Sequence, residues 1–154
     1  MPLARVPRPA LVFGVCGLLP FIAGSLAVWL LPPGWRDYAL FIQAAYGATI
    51  LSFMGAVHWG LALAGTAAGG DSHRAMSWNR LGWGVLPALL GLAALMMTAV
   101  PGLILLILSY FGLLMGDAAA VRKGQAPAWY LDLRRPLTAA VILCLGLSLI
   151  RVLL

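Results

Sequence analysis

Two ionisable side chains stand inside long apolar stretches of this sequence, where little water is available to stabilise a charge. His58 lies in YGATILSFMGAVHWG (residues 46–60), and Asp117 lies in an apolar stretch that reaches Arg122. An imidazole exchanges protons near neutral pH, so a histidine close to an aspartate within a membrane can relay protons. A carboxylate can also pair with a guanidinium. These residue types therefore indicate a relay or a buried ion pair.

We expect the ionisable groups to turn toward the interior of a helix bundle, because such groups are costly in hydrocarbon. The predicted intramembrane polar cluster consists of His58, Trp59, Arg80, Asp117 and Arg134. We favour an Asp117–Arg134 ion pair that locks two helices and receives a hydrogen bond from His58. Three alternatives stay open: a proton path or carrier site, a haem or metal ligand at His58, and lipid-headgroup binding by the arginines.

The sequence lacks the usual catalytic signatures. It contains no glycine-rich phosphate loop, HExxH, GxSxG or carboxylate pair, and it has four acidic residues in all. Cys16 and Cys144 lie in apolar stretches without the spacing of a metal site or a disulfide framework. A haem with two histidine ligands would need a second intramembrane histidine, but His73 lies in a loop. We predict no enzyme, no catalytic residue, no metal and no cofactor.

The composition indicates a membrane protein. The chain has 154 residues, 63% of them hydrophobic and 9% charged, and its mean hydropathy is +1.00. Soluble domains carry roughly 25% charged residues, and a fold of this size cannot bury so much apolar surface in water. The ten lysines and arginines lie between the apolar stretches and form no single basic face. Binding to nucleic acid is therefore not expected.

Five stretches are long enough to cross a bilayer, which needs about 20 apolar residues. We predict one all-α membrane domain over residues 1–154, a five-helix bundle with spans at about 10–31, 38–64, 81–99, 103–121 and 136–153. The first apolar run exceeds the core of a typical signal peptide, so we expect a span and not a cleaved leader, with no soluble domain at either end. Pro101 and Gly102 suggest a tight turn, and Pro136 suits the first turn of a helix. Pro20 and Pro87 suggest kinks.

Basic residues predict the orientation. Eight basic residues fall on one side of the membrane, namely Arg5, Arg8, Arg74, Arg80, Arg122, Lys123, Arg134 and Arg135, and two on the other, Arg36 and Arg151. The N-terminus and the two longer loops should therefore face the cytoplasm or an organelle's matrix, with the C-terminus outside. Aromatic anchors at the inner surface agree: Trp78, Trp83, Trp129 and Tyr130. The segment 124–135 is expected to lie along that inner surface.

Small residues recur at every fourth position of the second span. They are Ala44, Ala48, Ser52, Ala56 and Gly60, continuing to Ala64. Helices in lipid associate through close backbone approach, so such a row predicts a helix-packing face. It could serve packing within the bundle, which we favour, or a homodimer.

Several stretches resemble the DUF3429 family of small five-span membrane proteins, which are transmembrane protein 69-like. They are GLLPF (17–21), the block 46–60, NRLGWGVLPALLG (79–91), Asp117 and PAWYLDLRRPLT (127–138). The resemblance implies a multi-pass protein of bacterial inner membranes, or of the mitochondrial inner membrane in eukaryotes, without an assigned activity. It also implies that six residues match family motif positions, namely His58, Trp59, Asp117, Trp129, Tyr130 and Arg134.

These observations predict a non-enzymatic membrane protein. The first interpretation is a structural, assembly or accessory partner of an inner-membrane complex, with the lipid bilayer and other membrane proteins, or a second copy, as its partners. One alternative is a small carrier or proton-linked channel that uses His58 and Asp117. A second is a redox accessory that binds haem or quinone.

Overall fold

The computed structural model describes residues 5–67, 69 and 76–154, which form six α-helices and no strand. The helices are α1 (Arg8–Cys16), α2 (Leu19–Leu30), α3 (Pro33–Ala67), α4 (Trp78–Met96), α5 (Ala99–Arg122) and α6 (Ala128–Leu153). Since α1 and α2 together make one apolar run, the described chain has five segments long and apolar enough to cross a membrane. The predicted all-α, five-span fold is confirmed. The loop positions Gly70, His73 and Arg74 lie outside the described residues.

The first span is interrupted near Gly17 because of Pro20. A proline has no N–H, and its ring collides with the preceding helical turn, so regular hydrogen bonding stops before it. α1 ends at Cys16, and α2 starts three residues later. The hydroxyl of Tyr46, on α3, donates to the carbonyl oxygen of Gly17 across 3.0 Å. The predicted kink is therefore a break, and a side chain from another helix bonds the backbone there.

Two predictions about prolines are wrong. α6 begins at Ala128 and runs through Pro136, so most of the expected surface segment 124–135 is the start of a membrane helix. A proline inside a helix loses one backbone hydrogen bond, and membrane helices tolerate this where neighbouring groups satisfy the freed carbonyl. Pro101 lies in the first turn of α5 and not in a tight turn, because an N–H at that position needs no helical partner.

α3 and α4 are antiparallel and approach closely at glycines. A Cβ built on Gly55 would lie 2.5 Å from the carbonyl oxygen of Gly84, and one built on Gly91 would lie 3.1 Å from the Cβ of Ala48. The two contacts are seven residues apart on both helices, as expected for helices that meet along one seam. Since lipid provides no hydrophobic force between helices, dispersion across this close contact holds the pair together.

The small face predicted on α3 only partly follows this seam. Ala48 is buried against Gly91, whereas Ala56 and Gly60 are exposed, and a Cβ on Gly60 would meet nothing within 4 Å. Four residues turn an α-helix about 40° past a full circle, so a row of fours soon leaves a straight contact line. Seven residues fall only about 20° short of two full turns, so positions seven apart stay close to one line along the helix. This is why Gly55 and not Ala56 meets α4.

The centre of the bundle is aromatic and aliphatic. Tyr110 and Phe21 are about 99% buried, and their ring centroids lie 6.2 Å apart with edge-to-face geometry. The hydroxyl of Tyr110 donates to the carbonyl oxygen of Gly47 across 2.7 Å, so α5 is bonded directly to the backbone of α3. Large apolar side chains such as Phe53 and Phe111 are mostly exposed, as expected for a surface that faces lipid.

Candidate functional site

Three helices contribute one charged or ionisable side chain each to a single buried cluster. Nε2 of His58, on α3, lies 3.0 Å from Oδ1 of Asp117, on α5. Nε of Arg134, on α6, donates to Oδ2 of the same carboxylate across 2.8 Å. The exposed fractions are 6% for His58, 0% for Asp117 and 4% for Arg134. The structure therefore brings these three of the five predicted cluster residues into direct contact.

The carboxylate of Asp117 is the centre of this cluster. Both of its oxygens are occupied, one by His58 and the other by Arg134. An ionised carboxylate only accepts hydrogen bonds, so Nε2 of the imidazole must carry the hydrogen that it donates. The guanidinium of Arg134 neutralises the carboxylate, which is what allows both charges to remain away from water. The cluster is therefore a compensated ion pair with an imidazole donor.

The other two predicted members lie beside the cluster. The indole N–H of Trp59 donates to the backbone oxygen of Leu81, on α4, across 3.0 Å, and its side chain is partly exposed. Arg80 lines the same cleft as His58 and lies in the first turn of α4. Neither residue bonds to Asp117. Trp59 therefore joins α3 to α4, and Arg80 adds a positive charge at the mouth of the cleft.

The four predicted inner-surface anchors occupy the starts of α4 and α6. Trp78 is 96% exposed at the first residue of α4, while the indole of Trp83 packs closely against α5 at Gly116. The ring centroids of Trp129 and Tyr130 are 6.2 Å apart at the start of α6. Trp83 is thus a packing residue between two helices. Trp78 has the exposure of an interfacial anchor.

The cluster separates two cavities. A cleft of about 700 Å³ lies on the side of His58 and is lined by several polar side chains, namely Asn79, Arg80, Lys123 and Gln125. A more apolar cavity of about 450 Å³ lies on the side of Arg134. Asp117 lines neither cavity and stands between them. An imidazole and a carboxylate arranged in this way can hold helices in register, and they can also pass a proton.

A second buried polar network lies toward the opposite ends of the helices from the His58–Asp117–Arg134 cluster. Gln43, on α3, donates from Nε2 to the hydroxyl of Ser25 across 2.8 Å, and its Oε1 accepts from the hydroxyl of Ser148 across 2.7 Å. The hydroxyl of Ser25 donates to the backbone oxygen of Cys144 across 2.8 Å. This network joins α2, α3 and α6. The sequence does not single out Ser25 or Ser148, because a lone serine in an apolar helix can also bond its own backbone.

The described residues offer no group of three or more His, Cys, Asp or Glu side chains that could hold a metal ion. Cys16 is exposed on α1, Cys144 is buried on α6, and both are free. A haem iron at Nε2 of His58 would have to displace the bond to Asp117. The donor set around His58 therefore suits hydrogen bonding better than metal ligation.

Comparisons with known proteins agree with the motifs. Transmembrane protein 69 of Xenopus tropicalis is 34% identical over 149 residues, which are 96% of this chain and 56% of that protein. Transmembrane protein 69 of Mus musculus is 39% identical over 57 residues, which are 37% of this chain and 23% of that protein. The chain thus spans little more than half the length of the frog relative. No solved structure matches it. A family model described as "Protein of unknown function (DUF3429)" matches residues 6–150, and the chain belongs to this family.

Proposed function

We propose that the protein is a non-enzymatic accessory or assembly partner within an inner membrane, bacterial or mitochondrial. The observation that carries this proposal is the closure of the His58–Asp117–Arg134 cluster. Both carboxylate oxygens are engaged by groups of the same chain, so these charges fix α3, α5 and α6 relative to one another. A buried charge pair of this kind favours a structural role over a role in bond-making chemistry.

The lateral surface is the main surface through which such a protein meets others. The segments that separate α2 from α3, α4 from α5, and α5 from α6 are two, two and five residues long. Exposed apolar side chains cover the sides of the helices, Leu92 of α4 and Leu143 of α6 among them. Helices in lipid associate by packing and hydrogen bonding between such sides. A membrane-embedded partner, or a second copy, would dock there.

Site-specific photo-cross-linking in native membranes tests this proposal. A benzophenone side chain is placed, one position at a time, on four exposed faces, replacing Phe41, Leu92, Phe111 or Leu143. We expect one face to give one dominant adduct, while the other positions serve as matched controls for random collisions. An adduct between two copies would identify the partner as the protein itself. Equal, scattered labelling from all four faces would contradict an accessory role.

A second candidate, a small proton-linked carrier or channel, is favoured by the placement of the cavities. His58 opens to the cleft, Arg134 lines the apolar cavity, and Asp117 bridges them. Protein reconstituted in liposomes with a trapped pH-sensitive dye tests it. His58→Ala should abolish proton movement, and Trp59→Phe, a change beside the cluster, should preserve it. Proton movement equal to that of empty liposomes would rule this candidate out.

A further inference from the structure

The apolar cavity beside Arg134 has the size and lining of a ligand site. Its volume of about 450 Å³ lies within the range of small-molecule pockets, roughly 300–1,000 Å³. Most of its lining residues belong to α1, α3 and α6, and Phe21 of α2, Tyr110 of α5 and Trp129 of α6 contribute aromatic rings. Phe13 and Phe53, which also line it, are 77% and 64% exposed. The cavity therefore reaches the lipid-facing surface between α1 and α3.

Three residues of α6 that line this cavity each have one buried polar atom without a hydrogen-bond partner among the described residues. These atoms are the hydroxyl oxygen of Tyr130, Nη2 of Arg134 and Oγ1 of Thr138. The residues are four positions apart, so they share one face of the helix at steps of about 5–6 Å between Cβ atoms. A buried donor without a partner costs about 1–3 kcal/mol. These atoms have almost no accessible surface, so small rotations of the side chains would be needed to offer them to an acceptor in the cavity.

The charge of the cluster limits what that acceptor can be. Arg134 offers only donors, and its positive charge is already balanced by Asp117 at 2.8 Å. A carboxylate or phosphate in the cavity would add an uncompensated negative charge beside that pair, away from water, which is costly. An uncharged carbonyl oxygen accepts the same hydrogen bonds without this cost. The three α6 residues therefore favour a neutral ligand with carbonyl oxygens.

We propose that this cavity binds a lipid-soluble quinone. The flat ring would lie among the aromatic side chains, where edge-to-face and offset contacts are favourable. Its carbonyl oxygens would accept hydrogen bonds from successive members of the row formed by Tyr130, Arg134 and Thr138. Its apolar tail would leave between Phe13 and Phe53 into the bilayer. This site is independent of the accessory role, and it assigns a ligand to a cavity on the far side of the cluster from His58.

Binding of decylubiquinone to the purified protein in lipid nanodiscs tests the proposal, with quenching of tryptophan fluorescence as the signal because Trp129 lines the cavity. The double variant Tyr130→Phe/Thr138→Val removes two donors and keeps the shape of both side chains. Two hydrogen bonds of about 0.5–1.5 kcal/mol each correspond to a Kd raised roughly 5- to 150-fold. Arg134 is left intact, because its loss would also disturb Asp117.

The matched control is Tyr38→Phe/Thr49→Val, the same changes at exposed positions outside the cavity. We expect this variant to bind like the unaltered protein and both variants to melt within a few degrees of it. Equal Kd values for the two double variants would overturn the proposal. So would tighter binding of dodecanoate than of decylubiquinone, or a copurified phospholipid that decylubiquinone cannot displace.

Discussion

Nε of Arg134 lies 2.8 Å from Oδ2 of Asp117, across the contact between α5 and α6. The two residues are 17 positions apart, and a connection of five residues reverses the chain between their helices. His58 reaches the other oxygen of the same carboxylate from α3. The loss of Asp117 therefore leaves two groups without their partner, whereas the loss of either of the others leaves one contact intact.

We expect Asp117→Ala to destabilise the fold more than Arg134→Ala. Removing the acid leaves a permanent guanidinium charge buried and His58 without an acceptor, at a cost of about 3–5 kcal/mol. Removing the arginine leaves the bond between Asp117 and His58 intact, so the loss is smaller. Thermal melting of both variants in the same detergent measures the difference. Equal decreases in melting temperature for the two variants would show that Asp117 contributes no more than Arg134 to the stability of the α5–α6 contact.

The sequence predicted this cluster because few arrangements tolerate an ionisable side chain in hydrocarbon. A histidine and an aspartate in apolar helices need polar partners. Few basic residues are predicted to lie near enough to pair with the aspartate, and Arg134 is one of them. The exposed position of Gly60 was not predictable in the same way. Small residues such as glycine and alanine need no charged or polar partner in the bundle. Which of them are buried therefore depends on where the neighbouring helix crosses.

Pro136 shows a second limit of sequence reasoning. A proline is equally compatible with the first turn of a helix and with the interior of a membrane helix, because the bilayer stabilises the helix around it. The predicted number of spans is therefore right, but the last span was predicted to begin eight residues late, at 136 instead of Ala128. Placing α6 correctly is what brings Tyr130 and Arg134 onto the same face as Thr138.

We expect Gly55→Ala to destabilise the bundle and Gly60→Ala to leave it unchanged or slightly more stable. A Cβ at Gly55 would lie 2.5 Å from the backbone oxygen of Gly84, so α3 and α4 must separate, at a cost of about 1–3 kcal/mol. A Cβ at Gly60 meets nothing within 4 Å, and alanine favours the helix by up to about 1 kcal/mol. Detergent melting curves compare them. A larger loss of stability for Gly60→Ala than for Gly55→Ala would mean that α4 contacts the small residues at every fourth position of α3.

We expect Ser148→Ala to lower stability by about 0.5–1 kcal/mol, because its hydroxyl bonds Gln43 on another helix at 2.7 Å. Ser109→Ala is the matched control, since that hydroxyl bonds the backbone oxygen of Leu105 in its own helix at 2.7 Å. A bond within one helix survives helix separation, so its loss should change stability by less than about 0.5 kcal/mol. Equal effects in a reversible denaturation assay would mean that the serine network does not hold α3 to α6.

Labelling of single cysteines tests the orientation, because the excess of arginine predicts a C-terminus outside the inner membrane. In a protein carrying Cys16→Ser and Cys144→Ala, Leu154→Cys should react with a membrane-impermeant maleimide applied from the outer face. Gln125→Cys, in the exposed connection between α5 and α6, should react only after the membrane is opened. Positions 154 and 125 are both exposed in the folded chain, so a difference in labelling between them reports the side of the membrane and not burial. Labelling of Gln125→Cys in intact membranes, with protection of Leu154→Cys, would invert the bundle and place the cleft of His58 on the outer face.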